Sequence, residues 1–160
     1  MKEIPIPKRS VVGITDRQKL LRLRRRALSR LARWVLEQEA HHPVEVSFLF
    51  VEDREIAELN HRYLGRSGPT DVLAFSQPKQ PPGPFLPLLG DVVISTETVS
   101  EQSGRWSRTV DEEFLVCLIH GLLHLLGYRD DNTVSRRMMA DRQEELARRW
   151  KRGGEWFLTR

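Results

Sequence analysis

The segment between Thr109 and Gly127 constrains the fold of this chain more than any other. Thr109 and Glu112 have the spacing of a capping box, which predicts a helix start, and Gly127 is the kind of residue that ends a helix in a left-handed conformation. Residues 114–126 are apolar on every side of this helix apart from two histidines. Because a helix without a polar face is not stable on a surface, we predict that it is buried.

The two histidines of this helix are His120 and His124, which lie one turn apart on the same side. Burying two imidazoles is costly unless each nitrogen has a partner, and one metal ion serves both. Gly127 lets the chain turn back, which places Asp130 as a third ligand. We therefore predict a zinc site formed by His120, His124 and Asp130. Three alternatives stay open: Asp131 as the carboxylate ligand, either aspartate as a mere cap of the last helix, and histidines that are simply satisfied in the core or on the surface.

The residue after the first histidine distinguishes two classes of metalloenzyme. The spacing of His120, His124, Gly127 and Asp130 is similar to that of zincin-type enzymes. In the H-E-x-x-H proteases, however, a glutamate follows the first histidine and acts as the general base, whereas this chain has Gly121. Phosphodiester hydrolysis depends less on a carboxylate general base when a bound metal lowers the pKa of its water and cationic side chains hold the phosphate. The sequence therefore disfavours a protease.

Charge is unevenly distributed along the 160 residues. Residues 1–34 carry eleven basic and two acidic side chains, residues 35–129 carry seven and fourteen, and residues 130–160 carry eight and six. A basic arm beside an acidic body favours a polyanionic partner such as nucleic acid, and a solvated arginine-rich helix is the alternative. We place this arm on an amphipathic helix over about residues 15–40, beginning at Thr15 or Asp16.

The remaining chain alternates between short strands and helices. The predicted elements are strands at 44–50, 72–75 and 91–94, a helix at 53–63 and a last helix at about 134–152. Five prolines within residues 77–87 indicate a surface loop. Strands interleaved with helices predict a mixed sheet covered by helices, in a single domain over residues 1–160.

Cysteine content and hydropathy indicate the compartment. Cys117 is the only cysteine, which excludes an internal disulfide and a Cys-rich zinc finger. No apolar run reaches the roughly eighteen residues of a membrane span, and residues 1–5 lack the apolar core of a signal peptide. We expect a soluble cytoplasmic protein with no membrane partner.

Four blocks of the sequence carry a resemblance to a known family. Residues 120–128 fit the pattern H-G-x-L-H-L-x-G-Y, and residues 59–63, 69–75 and 89–95 match three further blocks in the same order. Over about residues 44–147 the chain resembles the YbeY endoribonucleases, the rRNA maturation factors of bacteria. The resemblance implies an α+β fold, with a small mixed sheet and helices around a metal-binding cleft.

The same resemblance implies a function. It points to a zinc-dependent, single-strand-specific endoribonuclease that acts in rRNA processing, including 16S rRNA 3′ end maturation, and in ribosome quality control. The implied partners are rRNA and the ribosome, and no DNA is expected. Two other functions stay open: a zincin-like metalloprotease, and a non-catalytic ribosome-binding module with a structural metal.

Two positions depart from the family pattern. The family's third ligand is a histidine in the continuation G-Y-D-H, where this chain has Arg129 and Asp130. A carboxylate ligand adds negative charge, and two imidazoles with one carboxylate also suit iron and other divalent ions. The family's arginine directly after the tyrosine is Leu64 here. We predict that Arg62 or Arg66 contacts the phosphate instead, with plain surface charge as the alternative.

The other acids and histidines near these motifs have minor expected roles. Asp71 and Asp91 stand beside short strands, where such residues orient a ligand or water or, more often, cap turns. His41 and His42 fall in a loop and His61 on an exposed helix face, so we expect all three to be structural bystanders.

Overall fold

Within residues 7–81 and 83–159, the part of the chain that this computed structural model describes, there are four strands and five helices. They are β1 Val11–Asp16, α1 Arg25–Glu39, β2 Glu45–Val51, α2 Asp53–Leu64, β3 Val72–Ser76, β4 Leu88–Ser95, α3 Thr96–Arg105, α4 Val110–Leu125 and α5 Thr133–Lys151. The strands and helices predicted after residue 40 are confirmed, and α3 is an addition to them. Residues 1–5, in which no signal-peptide core is expected, lie outside the described residues.

The strands form one mixed sheet in the order β1-β2-β4-β3. β1 pairs parallel to β2 and β2 parallel to β4, whereas β3 pairs antiparallel to β4 at one edge. Parallel neighbours require crossover connections, and α1 supplies the one between β1 and β2. This topology confirms the predicted mixed sheet with its covering helices.

The predicted start of the basic helix is wrong. α1 begins at Arg25, and the region from Thr15 or Asp16 onward starts with the end of a strand rather than a helix. Val11–Asp16 is rich in β-branched residues, which favour strands, and its parallel ladder with β2 supplies the backbone hydrogen bonds. A strand and a turn, not a helix, therefore occupy the first part of the basic arm.

The turn after β1 explains why the leucines there imitate a helix. The Gln18 side chain donates to Asp16 Oδ1 at 3.0 Å and to the Leu21 carbonyl at 2.7 Å, while its Oε1 accepts from the Leu21 backbone N–H. Leu21 and Leu23 pack against the core from this extended segment, whereas Leu20 is exposed. Their helical spacing in the sequence is therefore coincidental.

Helices cover both faces of the sheet. Successive residues of a strand point to opposite faces, so Val92 and Ile94 of β4 join the main core, while Val93 packs with Ile56 of α2 on the other side. The main core also contains the buried faces of α1, α4 and α5, and α4 is almost entirely enclosed. The prediction that the apolar helix is the buried centre of the fold is confirmed.

No helix within the described residues is both long enough and apolar enough to cross a lipid bilayer. α4 is the most apolar helix, but its 16 residues fall short of the about 20 that a span requires. α5 is longer, with 19 residues, and carries many charged side chains.

The capping box predicted at the start of α4 is present. Thr109 Oγ1 accepts from the Glu112 backbone N–H at 3.1 Å, and Glu112 Oε2 accepts from the Thr109 backbone N–H at 2.9 Å. The second of these hydrogen bonds holds the pKa of the Glu112 carboxyl below its ordinary value of 4.5. The carboxylate's contribution to stability is therefore full above pH 4.5 and is lost as the pH falls through the lower pKa of the folded state.

Replacing this cap is expected to have a defined cost. Thr109→Ala leaves the N-terminal N–H groups of α4 without their side-chain acceptor, so the free energy of unfolding should fall by about 1 kcal/mol in urea denaturation at pH 7. The control is Thr133→Ala at an exposed position in the first turn of α5, for which we expect a change within about 0.5 kcal/mol. Equal effects of the two substitutions would contradict a capping role.

Candidate metal centre

α4 brings two imidazole rings together on one side. The Nε2 atoms of His120 and His124 lie 3.1 Å apart, and the rings meet edge to face with centroids 4.6 Å apart. Both residues are half-buried, at the border between the core and solvent. The four-residue spacing therefore produces the convergence of nitrogens that the sequence predicts.

The turn after α4 delivers the third side chain. Gly127 has a φ of +99°, and the backbone N–H of Tyr128 donates to the carbonyl of Leu123, which reverses the chain. Asp130 Oδ2 then lies 3.6 Å from His124 Nε2. The chain reversal and the proximity of Asp130 follow the sequence prediction.

The neighbouring acid points elsewhere. The carboxylate of Asp131 pairs with Arg129 at 3.8 Å and accepts from the Asn132 side chain at 3.3 Å, and it does not join the histidine cluster. Neither aspartate caps the last helix, because Asn132 occupies the N-cap of α5 and accepts from the Ser135 backbone N–H. Asp130 is therefore the carboxylate that the fold brings to the imidazoles.

The spacing of these three groups fits a divalent ion. The potential ligand atoms of His120, His124 and Asp130 all lie within 4.8 Å of one another. Two ligands at about 2.0–2.1 Å from a tetrahedral zinc ion are about 3.4 Å apart, and the observed separations of 3.1 and 3.6 Å fall on either side of that value. Two neutral imidazoles and one carboxylate also form a donor set that zinc and several transition metals accept.

The surroundings of His124 favour the neutral form that a metal requires. Burial is the main influence that lowers its pKa below the ordinary 6.5, and the neighbouring His120 adds to it. Asp130 and a hydrogen bond to the Tyr128 backbone act in the opposite direction but do not reverse the shift. His124 is therefore uncharged at pH 7 and has a lone pair available for coordination.

Gln143 is a member of the site that the metal-binding motif does not include. Its Oε1 lies 2.8 Å from His120 Nδ1, on the side of the ring opposite the histidine cluster. The sequence does hold a signal for it, since Gln143 falls on the same face of α5 as the buried Met139, Leu146 and Ala147. A polar residue on an apolar stripe requires a partner, and here that partner is His120.

A polar network anchors the turn that carries Asp130. The Tyr128 hydroxyl donates to Glu39 Oε2 at 3.0 Å, and Arg142 of α5 donates to the other oxygen of Glu39 and, at 2.8 Å, to Glu145. The Glu39 side chain is only 9% exposed. The network joins the end of α1, the turn and α5, so it limits the positions that Asp130 can take.

Gly121 allows α4 to lie against the sheet. A Cβ atom at this position would be 2.5 Å from Val92 Cγ1 and 3.3 Å from Val72 Cγ2, both of which belong to the neighbouring strands. The residue after the first histidine therefore faces the strands rather than the metal cluster. A glutamate of the H-E-x-x-H type has no room here.

A second group of potential ligands has a structural role. Asp71, Glu113 and Cys117 lie within 4.8 Å of one another, but Asp71 Oδ1 accepts from the Val72 backbone N–H and Glu113 pairs with Arg108 at 3.2 Å. Burial is the main cause that raises the pKa of the Cys117 thiol well above its ordinary value, so it remains protonated and a poor ligand. Asp71 acts here as a turn and strand cap.

The predicted phosphate contacts lie on the other helix layer. Arg62 and Arg66 are exposed at the end of α2, beside the exposed Leu64, and α2 covers the face of the sheet opposite α4. Among the described residues neither arginine has an ion-pair partner, and no hydrogen bond joins either to the histidine cluster. Both side chains therefore keep their charge available to a ligand.

The remaining predicted residues lie outside the cluster. His41, His42 and His61 are exposed, and His42 Nδ1 lies 3.2 Å from the Pro43 carbonyl. Asp91 lies within β4, opposite Ser47 of β2 and Phe75 of β3. Its carboxylate has no hydrogen bond among the described residues.

Comparisons with known proteins agree with this architecture. The sequence model of the family described as Endoribonuclease YbeY matches residues 13–151. The Endoribonuclease YbeY of Syntrophus aciditrophicus is 39% identical over 122 residues, which is 76% of either chain. That of Thermobifida fusca is 37% identical over 136 residues, covering 80% of this chain and 86% of the relative.

A solved structure shows the same fold. The solution structure of a protein from Thermotoga maritima superposes with a TM-score of 0.64 and 24% sequence identity. The match covers 89% of this chain and 91% of that one, so it extends over the sheet and its helices. The family match over residues 13–151 and the identities of 39% and 37% to the two relatives show that the chain belongs to the YbeY endoribonuclease family.

Proposed function

We propose that this chain is a metal-dependent endoribonuclease that hydrolyses single-stranded RNA and acts in rRNA processing, including maturation of the 16S rRNA 3′ end. The observation that carries the proposal is the convergence of His120, His124 and Asp130 at the end of a buried helix. The relatives named Endoribonuclease YbeY support the reaction class. The proposed partners are rRNA and the ribosome, with ribosome quality control as a further role in the cytoplasm.

Zinc is the proposed ion, and iron or another divalent ion is the alternative because one ligand is a carboxylate. A divalent ion bound there supplies a water of lowered pKa and neutralises charge on the scissile phosphate. The protein's part is to hold the ligands: α4 fixes both imidazoles, and the Gly127 turn fixes Asp130. The Asp130 side chain is 54% exposed, so the open side of the cluster faces solvent, from which RNA can approach.

The basic arm supplies a surface for the RNA backbone. Arg25 and Arg26 of α1 are exposed and have no acidic partner among the described residues, whereas Arg30 pairs with Glu155. Arginines of this kind neutralise phosphates and release counterions, which gives affinity independent of sequence. We propose Arg62 or Arg66 as a contact to an RNA phosphate, in place of the arginine that the family has where this chain has Leu64.

Gly121 supports a nuclease over a zincin-like protease. The position that carries the general base in H-E-x-x-H proteases faces Val92 and Val72, with no space for a carboxylate side chain. A ribosome-binding module with a structural metal would have the same arrangement of ligands as the nuclease but would not cleave RNA. Only an activity measurement separates these two functions.

The proposal is tested by incubating the protein with single-stranded RNA, duplex RNA and an unfolded protein, each with and without EDTA. We expect cleavage of single-stranded RNA that EDTA abolishes and Zn²⁺ restores, with duplex RNA and the unfolded protein left intact. Chelator-sensitive proteolysis without RNA cleavage would overturn the nuclease in favour of the protease. A protein that unfolds without metal and cuts nothing with it would favour the module.

A further inference from the structure

We propose that Gln143 is a positioning residue of the metal centre, and that it holds His120 in the tautomer whose Nε2 carries the lone pair. The inference rests on the proposed metal-dependent function. Gln143 belongs to α5 and contacts His120 at Nδ1, on the side of the imidazole ring away from His124.

The position of Gln143 on α5 keeps its side chain in place. Met139 lies one turn before it and Leu146 one turn after it, and these two residues are 2% and 0% exposed. Gln143 itself is half-buried between these two packed apolar neighbours. Burying an amide at such a position costs free energy unless its polar atoms are bonded, and the contact at 2.8 Å to His120 Nδ1 supplies a bond.

The direction of this hydrogen bond decides which nitrogen of His120 can bind a metal. A neutral imidazole has one N–H and one lone pair. Because Gln143 Oε1 is an acceptor, Nδ1 carries the hydrogen and Nε2 carries the lone pair. That Nε2 lies 3.1 Å from His124 Nε2, on the side where Asp130 also approaches.

The two histidines differ in what orients them. His124 lies beside the Tyr128 backbone, which no side-chain substitution removes. Among the described residues Gln143 is the only hydrogen-bond partner on the Nδ1 side of His120. Without it, His120 can exchange tautomers and rotate its ring, so a fraction of the population presents an Nε2–H that cannot coordinate. Outer hydrogen bonds of this kind typically change metal affinity by about 10- to 100-fold.

Two substitutions separate positioning from a structural role. Gln143→Leu removes the acceptor and leaves the His120 Nδ1–H unpaired, and thermal unfolding of the metal-free variant measures what this costs in stability. Gln143→Glu keeps the acceptor and cannot donate, as in the carboxylate–histidine pairs of other metal sites. The matched control is Glu144→Leu, at the neighbouring exposed position of the same helix.

The test is Zn²⁺ affinity of the full-length chain, measured by competition with a chromophoric chelator, alongside thermal unfolding of the metal-free proteins. We expect the Kd of Gln143→Leu to rise by about 10- to 100-fold, with wild-type affinity in Gln143→Glu and Glu144→Leu. Gln143→Ala serves as a second acceptor-free variant should the leucine side chain disturb folding, and the same loss is expected.

Three outcomes overturn the inference in distinguishable ways. If the wild-type protein binds Zn²⁺ and the leucine and alanine variants bind it equally well, Gln143 has no positioning role, while the proposed function stands. If the wild-type protein binds no divalent metal, both this inference and the metal-dependent function are overturned. A loss in Glu144→Leu equal to that in Gln143→Leu would assign the effect to α5 as a whole and also overturn it.

Discussion

His124→Ala is expected to lower the rate of RNA cleavage by more than about 100-fold and to abolish tight zinc binding. His124 lies at the centre of the cluster, because its Nε2 is within 3.1 Å of His120 Nε2 and 3.6 Å of Asp130 Oδ2. Its removal deletes a ligand outright, which should cost more than the about 10- to 100-fold that loss of an outer partner costs. The measurements are initial rates on a single-stranded RNA and zinc competition with a chelator.

The control for this substitution is His42→Ala, which removes an exposed histidine outside the cluster. It should cleave RNA and bind zinc like the wild type. Circular dichroism should show both variants folded, since the half-buried His124 contributes little to the apolar core. Wild-type cleavage by His124→Ala would place the reaction elsewhere on the molecule.

Gly121→Ala is expected to lower the free energy of unfolding by about 1–3 kcal/mol, because the added methyl group overpacks the contact between α4 and β4. Val92 is fully buried and β-branched, so it cannot rotate away from a Cβ atom placed 2.5 Å from its Cγ1. α4 must shift, and His120 shifts with it. Chemical denaturation gives the stability, and RNA cleavage should fall at the same time.

Gly104→Ala gives the opposite expectation, at a helical glycine where an added methyl group meets no neighbour. A Cβ atom there has no neighbour within 4 Å, and Gly104 lies exposed in the last turn of α3. Reduced entropy of the unfolded chain should stabilise this variant by about 0.4–1 kcal/mol, without effect on cleavage. Changes of the same sign at both glycines would contradict the packing explanation.

Helix α4 could be predicted from the sequence because its start, its end and its apolar residues all indicate the same buried helix. Thr109 and Glu112 mark its start, Gly127 marks its end, and the apolar residues between them require burial. The pair His120 and His124 follows from helical spacing alone. Asp130 follows from the short turn, since few residues separate it from the helix.

Two features could not be predicted in this way: the strand β1 near the beginning of the chain, and the side chains that hold the histidine cluster and its turn in place. Leucines at helical spacing favoured a helix from Thr15 or Asp16, where β1 ends. The identity of β1 depends on its pairing with β2, which is distant in the sequence. The bond between Gln143 and His120 spans 23 residues, and that between Arg142 and Glu39 spans 103. Such contacts depend on how the helices pack together, and no local spacing encodes them.

The most direct test of the central claim is a zinc titration followed by imidazole ¹⁵N NMR of the metal-free protein. The chain has five histidines, so each pair of ring nitrogens can be assigned with single substitutions. We predict that one equivalent of Zn²⁺ shifts the Nε2 signals of His120 and His124 to values typical of coordinated nitrogen. Signals of His41, His42 and His61 should stay unchanged. The proposed metal centre would be contradicted if Zn²⁺ shifted the signals of these three histidines or left those of His120 and His124 unchanged.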